Sequence, residues 1–277
     1  MLALAAVLAV LPLVPAQAQA PAKPMVCGAV SADDVQEIFS FLLYNSGYDS
    51  SPADQRPWGK PSRGATTGIF TSDEKSFRAF GGSPAAAFAA NTGINNKGAM
   101  AAASHVYIHI PSMCDINQNR GEAAFFLAHE LSHLVLHHPE MIEKNNLDSM
   151  TKWCESNDCD GDPKRIVASW ERATREARNA FQRDIEQQAD REARQWITTL
   201  TDPATGKIFS AEAGEAGLKS AEEWLKAKGE TLDDPTHGSL ASRVQVLAQD
   251  REQMAKSHTD GLKGKAEAIQ QKVGNGF

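Results

Sequence analysis

His129, Glu130 and His133 set two histidines four residues apart, with a glutamate directly after the first. On an α-helix four residues advance the chain by about 6 Å and close to one turn. Both imidazoles therefore project from one face and can reach one cation at ~2.0–2.1 Å each. Glu130 stands beside the pair, in reach of a water on the cation rather than of the cation itself. Two neutral nitrogen ligands, a general base and an open coordination position are what a zinc hydrolase requires. A match this short also arises by chance in unrelated chains, so its meaning turns on a third ligand.

His137 repeats the spacing but lies eight residues from His129, about 12 Å along the axis, too far to share the ion. With His138 it is expected to face the helix C-terminus, where imidazole is electrostatically favoured. Glu186, in the stretch DIEQQADREA, is the better candidate, and Asp190 comes four residues later on the same helix face. A carboxylate completes a His-His-Glu zinc set, and an aspartate one turn on could orient a ligating imidazole. Most helix carboxylates are simply solvated, so the residues alone leave Glu186 and Asp190 open between the two readings.

The elements that must position these groups are legible in outline. Asn119 and Glu122 have capping-box spacing, and the apolar run from Ala123 to Leu136 ends before Pro139, so the motif sits in a helix of about five turns. Asp162 and Pro163 form an N-cap and first-turn pair that starts a long helix through Trp170, Phe181, Ile185, Trp196 and Leu200, stopped by Pro203. An amphipathic helix runs from the N-cap Ser31 to Gly47, with Val35, Ile38, Phe39, Leu42 and Leu43 at helical spacing. The clearest strand is Val106 to Ile110, where apolar residues alternate with Tyr107 and His109 up to Pro111. Residues 47 to 101, rich in Gly, Pro and Ser, read as loops with a short strand or two and a flap over a cleft. A cysteine-closed loop is expected over 145–162, and further helices over Ala221–Lys228 and Leu240–Met254.

LAHELSHLVLHH, then the glutamate of E-x-x-A-D, then His237 and Arg243 in DDPTHGSLASRV, together resemble the gluzincin metallopeptidases of the CAAX-prenyl-protease and HtpX type. The likeness spans roughly Val106 to Gln249, and that family's exported members include periplasmic quality-control proteases. The resemblance implies an α+β, predominantly helical, zincin-like domain in which His129, His133 and Glu186 bind one Zn2+. It further implies that Asp190 supports a ligand, and that His237 and Arg243 face the reacting carbonyl or gate the metal. The family usually has proline after the distal histidine, where this chain has Gly238. The Asn157–Pro163 stretch is a poor calcium loop, because Pro163 stands where an EF-hand needs glycine.

At 277 residues with a formal charge of −7, the chain is long enough to bury a core and gives no electrostatic reason to expect nucleic acid or an anionic membrane as partner. Residues 1–20 read as an export signal, with small-residue cleavage positions at Ala18 and Ala20. Their apolar core, Leu2–Val14, is shorter than the ~20 residues that span a bilayer. The mature chain is expected to be a single domain, 21–277, with its catalytic core over 102–254 and a frayed tail from 257. Export favours two disulfides among Cys27, Cys114, Cys154 and Cys159. Cys154 and Cys159 are close enough to close a small loop, which leaves Cys27 with Cys114, although the sequence permits three connectivities.

The expected function is a periplasmic zinc endopeptidase with Glu130 as general base, taking extended polypeptide along Val106–Ile110 as an edge strand over the cleft. Two alternatives stay open. One is a chaperone or assembly factor whose zinc site His237 closes; the other is a zinc hydrolase that does not act on peptides.

Overall fold

The computed structural model describes residues 29–46, 67–71, 87–92, 103–229 and 235–256. Helices dominate. In chain order the elements are α1 (Ala32–Ser46), β1 (Thr67–Thr71), β2 (Ala87–Thr92), β3 (Ala103–His109), α2 (Ile110–Ile116), α3 (Arg120–Val135), α4 (His138–Cys154), α5 (Pro163–Thr199) and α6 (Ala213–Ala227). A last helix, α7, runs over residues 240–256. β1 and β2 are the short strands expected between residues 47 and 101; the leader, the rest of that stretch with its expected flap, and the tail from 257 lie outside the described residues.

Helix starts obey the capping chemistry of the sequence. Asn119 Oδ1 accepts from the Glu122 amide at 3.1 Å, and Glu122 reaches back to the Gln118 amide at 2.9 Å. Ser31 and Asp34 make a fully reciprocal pair at the start of α1, and Asp162 accepts from the Lys164 amide at the start of α5. Each cap satisfies amides that the first helical turn leaves without partners and contributes about 1 kcal/mol.

α3 lies at the centre and packs on α1, α5, α6 and β2. Ala123, Ala124, Phe125, Leu127, Ala128, Leu131 and Leu134 are all buried, so the helix is apolar nearly all round, as a helix enclosed by its neighbours must be. The close crossing with α6 needs glycine: a Cβ on Gly214 would stand 2.7 Å from the Phe125 ring. One side chain ties three segments together, because Arg120 at the start of α3 pairs with Asp34 and Glu37 of α1 and with Asp202 beyond α5.

The long helix α5 has two characters. In its first half Trp170 and Asn179 are the buried positions; from Ile185 onward Glu186, Ala189, Asp190, Ala193, Arg194, Trp196 and Ile197 form a continuous buried face. Glu186 and Asp190 fall in the apolar stripe of Ile185, Ala189 and Ala193, which presses them against α3 instead of leaving them in water.

Three expectations change. Val106–Ile110 is not an edge: the sheet order is β1-β3-β2, with β1 parallel and β2 antiparallel to β3. Val106, Ile108 and His109 are all buried, so the apparent alternation belongs to a strand covered on both faces, and its backbone groups already bond to neighbours on both sides. The strand also ends at His109, and Pro111 opens the short helix α2. Second, residues 145–154 are helical, because α4 runs on to Cys154 and packs along α5, with Trp170 Nε1 donating to Ser149 Oγ at 3.2 Å. The loop that the Cys154–Cys159 disulfide closes is therefore shorter. Third, α6 begins at Ala213 rather than Ala221. Cys114 is disulfide-bonded too; its expected partner, Cys27, lies outside the described residues. No helix among the described residues is long and apolar enough to cross a membrane.

Candidate metal centre

His129 and His133 project from one face of α3 with their Nε2 atoms 3.1 Å apart. Glu186 comes from α5 to meet them: its Oε2 lies 3.2 Å from His129 Nε2 and its Oε1 3.5 Å from His133 Nε2. The three residues form a group that could hold a metal ion, their ligand atoms all within 4.8 Å of one another. Tetrahedral bonds of ~2.0–2.1 Å place neighbouring ligand atoms ~3.3 Å apart, which the three separations bracket. A second observation points the same way. Glu186 Oε2 is buried between His129 Nε2 and Arg243 Nη1 and accepts no well-directed hydrogen bond among the described residues, which leaves it acceptor capacity that a further cation could use.

A further carboxylate holds the first imidazole. His129 Nδ1 lies 2.9 Å from Asp190 Oδ1, and Arg243 of α7 donates to the same carboxylate twice, from Nε at 2.8 Å and from Nη2 at 2.6 Å. Its Nη1 stands 3.6 Å from Glu186 Oε2. α7 is brought to this position by α5, since Arg194 donates to the Leu247 carbonyl at 2.7 Å and Arg191 pairs with Asp250.

These charges set the protonation states. Burial disfavours the charged form of His129, but hydrogen bonds to Asp190 and Glu186 outweigh it and raise its pKa to about 10. Burial governs the outcome at His133, pushed down to about 3 and so neutral, the form that can ligate. Burial opposes the charge on Asp190 and Glu186. Arg243 nevertheless brings Asp190 down to about 2, while the two imidazoles hold Glu186 well below the usual carboxylate range. In the metal-free protein His129 is thus the protonated imidazole of the pair and His133 the neutral one.

The other expected site residues divide. Glu130 is half-buried beside His129, and its charge is felt by Arg243. His237 stands at the rim, about half exposed, with Nε2 at 3.7 Å from Glu186 Oε1 and Nδ1 3.0 Å from Thr236 Oγ1. The loop that carries it is held by Arg183, which donates to the Pro235 carbonyl, and turns at Gly238 with φ +72°. Proline cannot adopt that angle, and glycine takes it without strain. Arg243 is nearly enclosed, and its guanidinium is committed to Asp190 rather than turned outward.

One residue of the centre escapes the sequence reading. His138 does not sit at a solvated helix end: it is fully buried, with Nδ1 3.0 Å from Nδ1 of His133. His137 adopts a left-handed conformation, φ 61°, which reverses the chain after α3 and returns the next ring to the motif. The doubled histidine before Pro139, at the point where one helix must stop and another begin, is the signal that could have revealed it.

The chain matches no protein-family model, no curated protein and no solved structure.

Proposed function

We propose that this chain is a zinc-dependent metalloendopeptidase of the gluzincin type that acts on exported polypeptides. The observation that carries the reading is the convergence of His129 Nε2, His133 Nε2 and the Glu186 carboxylate from two helices, with Glu130 adjacent to the first ligand. Two imidazoles and one carboxylate at tetrahedral spacing suit zinc and leave a coordination position open. Bound zinc would supply Lewis acidity, bringing the pKa of a coordinated water toward ~7.

Glu130 takes the proton of the attacking water and delivers it to the departing amine. His237, at the rim, is placed to donate to the oxyanion that develops on the peptide carbonyl. Arg243 acts through Asp190 and Glu186, as a brace for the ligands. Since β3 is central, an extended substrate pairs instead with the outer edge of β2, the strand that makes most of the sheet's contact with α3. Among the described residues no strand occupies that edge. A disulfide at Cys154–Cys159 suits an oxidising compartment such as the periplasm.

The approach of His237 to Glu186 also favours a second reading, in which His237 closes the site as a fourth ligand and the protein works as a chaperone. Zinc content, X-ray absorption and casein hydrolysis on the purified protein separate the two. The peptidase has one zinc with a water among its ligands and cuts casein until a chelator is added. Four protein ligands and intact casein would sink that reading.

A further inference from the structure

The two candidate histidine ligands are backed differently. His129 Nδ1 faces an aspartate, whereas His133 Nδ1 faces another imidazole, that of His138, at 3.0 Å. The two rings meet edge to face, centroids 4.9 Å apart and planes at 76°. Two nitrogens at that separation share one proton: two lone pairs would repel, and two N–H groups would collide. A histidine that ligates through Nε2 must, when neutral, carry its proton on Nδ1. His133 therefore donates, His138 Nδ1 accepts, and the proton of His138 sits on its own Nε2.

That Nε2 is buried, and a hydrogen bond with the Gln188 side chain favours a proton on the ring. Burying a polar ring is unfavourable, and so is the left-handed backbone of His137 that delivers it. An apolar side chain would fill the same space without burying polar nitrogens. A strained backbone that delivers a buried polar ring to this place points to a use for its Nδ1, which faces His133.

The geometry points to His138 as a positioning residue for the metal ligand His133, a neutral acceptor that selects the ligating tautomer and fixes the plane of the ring. The inference rests on the metal-centre reading proposed above. It adds an asymmetry: one ligand is made strongly donating by a carboxylate, the other only oriented, by a neutral imidazole.

The test measures Zn2+ affinity by chelator competition for the full chain and for His138→Phe and His138→Asn. Phenylalanine keeps a ring but removes the acceptor; asparagine can place Oδ1 close to where Nδ1 stood. His138→Phe is expected to bind Zn2+ ~10–100-fold more weakly and to shift the visible bands of the Co2+-substituted protein, with His138→Asn recovering most of both. Equal affinity and unchanged Co2+ bands in His138→Phe would overturn the assignment while leaving the metal centre intact. A wild-type chain that binds no Zn2+ would instead overturn the centre itself. Should the phenylalanine variant not fold, two-bond 15N–1H correlations of the Zn2+-loaded wild type decide alone. Protonation at His138 Nε2 and His133 Nδ1 supports the role, and a proton on His138 Nδ1 refutes it.

Discussion

Asp190 lies between His129 and Arg243, accepting from the imidazole at 2.9 Å through Oδ1 and from the guanidinium at 2.6 and 2.8 Å. Among the described residues the arginine is thus the one permanent positive charge that the metal-free site sets against two buried carboxylates, Asp190 and Glu186. Replacing Arg243 with alanine should destabilise the metal-free protein by ~3–5 kcal/mol, the usual consequence of stripping one partner from a buried ion pair. A divalent cation would restore part of that loss, so Zn2+ should raise the melting temperature more in Arg243→Ala than in the wild type. Calorimetric melts with and without Zn2+ check this, and a variant as stable as the wild type without metal would deny Arg243 the bracing role.

Glu130 and Glu186 are separated by function in the proposed mechanism, and two substitutions distinguish them. Glu130→Gln should retain one Zn2+ per chain and lose casein hydrolysis by ~10²–10⁴-fold, the range for removing a general base. Glu186→Ala should fail to retain the metal at all, because it removes one of the three proposed ligands. Metal analysis of both variants after dialysis, beside their proteolytic rates, gives the comparison. Stoichiometric zinc in Glu186→Ala would exclude that carboxylate as a ligand.

Proton release on metal binding is a consequence of the unequal histidines. His133 is neutral at any working pH, whereas His129, raised to about 10, carries a proton in the metal-free protein. Zinc must displace that proton, so affinity should fall about tenfold for each pH unit below 10 on account of this one group. The sign for stability is opposite. A histidine with a raised folded pKa contributes stability that is fully present below its unfolded value of ~6.5 and is lost as pH climbs toward 10. Titration calorimetry near neutral pH, in buffers of different ionisation enthalpy, should report one proton released per Zn2+. Two released protons would mean that His133 is also charged.

The candidate ligand pair His129 and His133 was readable because four-residue spacing on a helix is a local rule, whereas the same spacing at Glu186 and Asp190 left them open and only the family resemblance singled them out. What residue spacing could not supply was the meeting of the two helices. That comes from the buried stripe of Ile185, Ala189 and Ala193 packing against α3, a tertiary fact. The helix caps at Ser31, Asn119 and Asp162 were equally local and correctly placed. Where neighbours decide, the reading slipped. β3 alternates like an edge strand but is enclosed by β1 and β2, and the stretch before Cys154 becomes helical by leaning on α5. His138 was missed for the same reason, because a left-handed residue between two helices sends the chain back where a periodic pattern sends it on.

Two glycines of α6 face the motif helix, and they should respond oppositely to alanine. A Cβ at Gly214 would lie 2.7 and 2.8 Å from atoms of the Phe125 ring, which is fully buried, one turn before His129. That ring cannot withdraw, so overpacking of ~1–3 kcal/mol should exceed the gain of up to ~1 kcal/mol that alanine brings to a helix. At Gly217 the nearest atom is 3.2 Å away, on the half-buried Phe126, whose ring end can give by a few tenths of an ångström. Gly214→Ala should therefore lower stability, and because the Phe125 and His129 rings are 6.4 Å apart, it should also weaken Zn2+ binding. Gly217→Ala should be neutral or stabilising, with unchanged affinity. Urea denaturation of the two variants checks the difference in sign, and equal destabilisation by both would mean that the α3–α6 crossing is not set by the close contact at Phe125.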